Sequence, residues 1–148
     1  SLEAFDLDGD GKEDLIALAP DRIAVVFSRV LNGGLETVDS YETDVEDGGY
    51  GAVYALNLAE QDTPQLAAVE MEDNLLEMFD LAAGEAPSLT KFFGFRVFDV
   101  EQALRQRQNL DRPAEPREAL AEDLDGDGKA DLAILVHDKV IVYLQAHE

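Results

Sequence analysis

The sequence predicts an all-β chain of three repeated units, with one short helix inserted between the second and the third. Three observations carry this reading. Runs of about five residues rich in Val, Ile and Leu come in pairs separated by polar turns, which is the pattern of β-hairpins rather than helices. An acidic stretch, Asp6 to Leu15, returns almost unchanged as Asp123 to Leu132. A degenerate copy lies between them, so the chain is internally periodic, with repeats that begin at 6, 57 and 123.

Taken in order, repeat one (about 1–43) opens with a strand over Leu2 to Phe5 and passes through the acidic loop. A hairpin follows: Leu15 to Ala19, the turn Pro20-Asp21-Arg22, and Ile23 to Phe27. After a turn at Asn32-Gly33-Gly34, Leu35 to Thr43 reads as a fourth strand. Asp44 to Gly51 is a glycine-rich crossover into repeat two (about 44–98), whose first strand is Ala52 to Leu58. Its hairpin is Leu66 to Val69, a turn at Glu72-Asp73-Asn74, and Leu75 to Phe79. A loop at Ala82 to Ser88 leads to a fourth strand, Leu89 to Phe98. Its Phe92, Phe93, Phe95 and Phe98 are expected in the core or between sheets.

Segment 99–116 breaks the pattern. Asp99 is a good N-cap, Arg105 and Arg107 suit a last turn, and Pro113 and Pro116 forbid continuation, so Val100 to Gln108 is expected to be helical. Residues 91–117 hold six of the eleven basic side chains: Lys91, Arg96, Arg105, Arg107, Arg112 and Arg117. They are expected to pair with acidic groups of the same molecule, the alternative being a docking element for an acidic partner. Repeat three (about 117–148) has a strand over Arg117 to Glu122, the second acidic loop, and the hairpin Leu132 to Val136, His137-Asp138-Lys139, Val140 to Leu144. It lacks a fourth strand.

The acidic loops carry the chemistry. Carboxylates at positions 1, 3, 5 and 9 repel one another strongly unless they surround a hard cation, and glycine at position 6 supplies the sharp turn. The candidate ligands are Asp6, Asp8, Asp10 and Asp14, and Asp123, Asp125, Asp127 and Asp131. Calcium suits them better than magnesium, which demands a tighter octahedron and keeps its waters. The bland alternative is a tight acidic turn with no metal. An EF-hand is excluded, because position 12 is Ala17 in one copy and Ile134 in the other, and strands follow where helices would be needed. In the middle copy the four positions read Asn57, Ala59, Gln61 and Gln65, so no metal is expected there.

The Asp-x-Asp-x-Asp-Gly-x-x-Asp-Leu loop, the hairpin behind it and Gly49-Tyr50-Gly51 before the middle repeat resemble the FG-GAP repeats of integrin α subunits and their bacterial VCBS-like relatives. The resemblance covers nearly the whole chain except Asp99 to Glu118. It implies a partial β-propeller of about three four-stranded blades, with each loop joining a blade's innermost strand to its second. It also implies that the main-chain carbonyls of Lys12 and Lys129 join the carboxylates as calcium ligands, giving two Ca2+ sites. The function it implies is adhesion or recognition of a protein or carbohydrate ligand.

Composition narrows the classes. With 33 acidic and 11 basic residues the net charge is −22, which disfavours nucleic acid and anionic membranes as partners. There is no cysteine, hence no disulfide framework and no thiolate metal site. No stretch is apolar enough for membrane insertion. His137 and His147 sit in a turn and at the terminus, and Ser1, Ser28, Ser40 and Ser88 lie in no nucleophile-elbow context, so an enzyme is not expected. Millimolar calcium would fill such loops and cytosolic calcium would not, so the expected location is extracellular, cell-surface or periplasmic. The chain reads as part of something longer. The remaining blades are expected from the parent chain or from homo-oligomerisation. Two further readings stand beside recognition: a non-catalytic accessory domain of an exported enzyme, and a structural assembly unit.

Overall fold

The computed structural model describes residues 2–28, 38–58, 63–82, 88–98 and 114–146. They form eleven strands: β1 (Leu2–Phe5), β2 (Asp14–Leu18), β3 (Arg22–Val26), β4 (Val38–Glu42), β5 (Tyr50–Leu56), β6 (Gln65–Glu70), β7 (Leu75–Ala82), β8 (Ser88–Arg96), β9 (Glu118–Glu122), β10 (Asp131–Val136) and β11 (Lys139–Tyr143). Three antiparallel meanders result, ordered β1-β2-β3-β4, β5-β6-β7-β8 and β9-β10-β11. The protein is all-β, and no α-helix occurs among the described residues. The expected turn at 32–34 and helix at 100–108 lie outside them.

The three repeats superpose in register. Phe5 pairs with Asp14, Leu56 with Gln65, and Glu122 with Asp131, so the ninth loop position opens the second strand of every sheet. Alternation along the strands then decides what each sheet buries. Ile16, Ile23 and Val25 of the first sheet meet Val53, Leu66, Ala68, Phe79 and Leu81 of the second in one core. The opposite face of the second sheet, Ala67, Val69, Leu76 and Met78, meets Leu132, Ile134 and Val136 of the third. The middle sheet is thus covered on both sides, and every residue of β6 is buried. Its run Leu66 to Val69 is accordingly apolar without a break, as a doubly covered strand should be.

Polar groups also bridge the first two sheets. Glu77, buried on β7, accepts the Tyr50 hydroxyl (2.6 Å) and the Lys91 ammonium (3.1 Å), and Lys91 reaches on to Asp44 (2.6 Å). Tyr41 of β4 donates to the same Asp44 carboxylate and lays its ring against Phe79, 4.9 Å between centroids. Burial works against the Lys91 charge, but its bonds to Asp44, Tyr41 and Glu77 outweigh that and raise its pKa above the usual lysine value. Burial and the bond to Glu77 push the Tyr50 phenol up. Arg96 pairs with Asp73 and Arg117 with Glu115, so the described basic residues of 91–117 are engaged within the chain.

One expectation fails on β8. Phe92 and Phe93 are each 54% exposed rather than in the core. A register shift at Met78–Phe79 interrupts the pairing of β7 with β8, and the run Phe92-Phe93 lies where that irregularity breaks the alternation of faces. Phe95 and Phe98 do pack against the second core.

Candidate metal centres

Each acidic loop is shaped by its own carboxylates. Asp6 accepts the Gly9 N–H (2.8 Å) on Oδ1 and the Gly11 N–H (2.9 Å) on Oδ2. Asp123 repeats this with Gly126 (2.7 Å) and Gly128 (2.9 Å). Asp8 accepts the Asp10 N–H and Asp125 the Asp127 N–H, at 3.2 and 3.1 Å. Asp10 and Asp127 in turn accept the N–H of Lys12 (2.9 Å) and of Lys129 (2.7 Å). Such nested turns need left-handed backbone at position 6, where Gly11 and Gly128 have φ of 82° and 89°.

The ninth position is different in kind. Asp14 and Asp131 are each 1% exposed. Asp14 accepts the Leu7 N–H (3.0 Å) and the Ser28 N–H (2.7 Å); Asp131 accepts those of Leu124 and Gln145, both at 2.9 Å. These bonds, Gln145's foremost, hold the Asp131 carboxyl below the usual carboxylate range against the opposing effect of burial. Sequence reasoning put both residues forward as candidate ligands and missed their role as clamps. The signal was Gln65, the middle repeat's counterpart. It is buried and accepts the Leu58 N–H at 3.0 Å, so it keeps the clamp without the charge.

Asp6, Asp8 and Asp14 bring one oxygen each within 4.8 Å of one another, and Asp123, Asp125 and Asp131 do the same. Calcium holds oxygens at about 2.3–2.6 Å, so ligands of one ion lie at most about 5 Å apart, and each trio fits a single sphere. Hard oxygen donors, one of them buried and oriented by the main chain, suit such an ion. Both clusters could therefore hold a metal ion. Asp10 and Asp127 stand outside the trios. Asp10 is ion-paired with the Lys12 ammonium at 2.7 Å, which raises that lysine's pKa, whereas the Lys129 ammonium donates to the Ala146 carbonyl at 3.1 Å. In the middle repeat Asn57 is exposed, and Ala59 and Gln61 lie outside the described residues.

A concavity of about 360 Å³ lies beside the middle repeat, lined by Leu58, Gln65, Met78, Asp80, Phe92, Phe93, Phe95 and Leu132. The exposed phenylalanines form part of its wall. No protein-family model, curated protein or solved structure matches the chain.

Proposed function

We propose that the chain is a calcium-stabilised, propeller-type repeat module that recognises a protein or carbohydrate ligand outside the cytosol, without catalytic activity of its own. The observation that carries the proposal is the convergence of the same three loop positions in the first and last repeats, while the middle repeat keeps the clamping bond from Leu58 to Gln65 and lacks the carboxylates. Two loops that retain costly clustered charge, beside one relieved of it, speak for an ion that offsets the charge. In this reading Asp6, Asp8, Asp10, Asp14 and the Lys12 carbonyl ligate one Ca2+, and Asp123, Asp125, Asp127, Asp131 and the Lys129 carbonyl the other. A bound ion would compete with the Lys12 ammonium for the Asp10 carboxylate. Three stacked meanders, with such a loop between the first and second strands of the first and last of them, fit consecutive blades, and any further blades would come from a longer chain or another copy.

Extracellular calcium modules bind at about 10⁻⁴ to 10⁻³ M, and sites of that strength would fill only in millimolar surroundings, which supports a location that is extracellular, at the cell surface or in the periplasm. The recognition reading is tested on panels of glycans and extracellular proteins, with calcium and with EDTA. Binding of a ligand that EDTA abolishes supports it. Absence of any calcium-dependent ligand, beside intact calcium binding, favours the structural assembly unit.

A further inference from the structure

The bulge on β8 gathers aromatic rings that regular alternation would part. Phe93 pairs with Met78 and Lys91 with Phe79, so Phe92 is the extra residue between them. Phe93 and Phe95, two residues apart, share a face by alternation, and the bulge brings Phe92 into the same concavity. Phe95 is flanked by two rings: its centroid lies 5.8 Å from that of Phe93 and 5.2 Å from that of Tyr143 on β11, the latter edge-on. Met78 and Leu132, both buried, line the concavity from the second and the third sheet.

Asp80 of β7 is the one charged side chain in this lining, and it is exposed. Among the described residues no hydrogen bond or ion pair engages its carboxylate. The two basic residues of β8 are committed elsewhere, Lys91 to Asp44 and Glu77, and Arg96 to Asp73. An aromatic ring carries partial negative charge on its face, and the carboxylate adds a full negative charge. The concavity therefore combines apolar walls with groups that attract a cation, and its lining holds no group that attracts an anion.

We propose that this concavity binds a small organic ammonium ion with an apolar or aromatic body, its charge beside Asp80 and the rings of Phe92, Phe93 and Phe95. The volume of about 360 Å³ falls at the lower end of small-ligand sites, roughly 300–1,000 Å³. An uncharged apolar ligand would use the rings and gain nothing from Asp80. An anion would be repelled by Asp80 and by a chain of net charge −22, whose field draws cations in. The site uses none of the acidic-loop carboxylates, so it stands whether or not those loops hold an ion.

Titration of the whole chain with benzyltrimethylammonium, beside its uncharged carbon isostere neopentylbenzene, tests this by calorimetry and by the NMR signal of the Met78 methyl group. The Met71 methyl, outside the lining, serves as internal control. The ammonium ion is expected to bind and to shift the Met78 signal, and the isostere to bind about tenfold more weakly. Phe93→Leu, at a half-exposed position, keeps apolar bulk but removes the ring face, and should weaken binding about two- to thirtyfold. Asp80→Asn should weaken it as well, by a factor that shrinks as salt rises. Circular dichroism should stay unchanged in both variants. A Met78 signal that does not move overturns the proposal. So does an isostere that binds as tightly as the cation, which marks a merely apolar cavity, and so does an affinity that either substitution leaves unaltered. The comparison of the two ligands on the wild type decides the matter even where a variant fails to fold.

Discussion

Each oxygen of the Asp14 carboxylate accepts one main-chain N–H, so this side chain ties the second residue of the loop to Ser28, two residues beyond β3. Removing it leaves the Leu7 and Ser28 N–H groups without that acceptor. A buried group left unsatisfied costs about 1–3 kcal/mol. Asp14→Ala should therefore lower stability by that order even in EDTA, measured by urea unfolding, where metal binding plays no part. Unchanged stability in EDTA would mean that the residue serves only as a ligand. At this scale the sequence disclosed the two acidic clusters and the spacing of their carboxylates, because both loops repeat the same pattern. It did not disclose the clamp, because the donors of Leu7, seven residues away, and Ser28, fourteen away, meet Asp14 only once the hairpin has formed. The pairing of Asp10 with Lys12 was equally hidden: two residues apart in a loop, they meet only because the loop folds back on itself.

At the scale of elements, the hairpins fell within a residue or two of their expected positions, except that β7 runs on to Ala82, three residues past the expected end at Phe79. Short β-branched and aliphatic runs bounded by turn residues leave little choice of structure. The exposed Phe92 and Phe93 were not legible, because strand alternation assigns faces only while the register holds, and it shifts at Met78–Phe79. The link between the first two sheets was hidden for another reason. Tyr41, Asp44, Tyr50, Glu77 and Lys91 come from five places in the chain and are brought together by the stacking itself. Glu77 is 1% exposed and depends on Tyr50 and Lys91 for compensation. Lys91→Met keeps much of the aliphatic packing but leaves that carboxylate without its cation, and breaking a buried pair in this way costs about 3 kcal/mol or more. Urea unfolding should show that loss, and Glu77→Gln combined with Lys91→Met should recover part of it. A Lys91→Met variant as stable as the wild type would show that the tyrosine alone satisfies Glu77.

For the whole molecule, electrostatics sets the terms. Two calcium ions would offset only four of 22 excess negative charges, yet they would act at the two carboxylate trios, where three charges lie within 4.8 Å of one another. An ion present at ten times its dissociation constant adds about 1.4 kcal/mol, so two sites add nearly 3, a sizeable share of the roughly 5–15 kcal/mol that holds a domain folded. Isothermal calorimetry of the EDTA-stripped chain with calcium, beside a variant carrying both Asp8→Ala and Asp125→Ala, tests this most directly. The account predicts two sites with dissociation constants of about 10⁻⁴ to 10⁻³ M, both lost in the variant. A wild type that takes up no calcium would contradict it, leaving the loops as acidic turns and removing the physical ground for a place outside the cytosol.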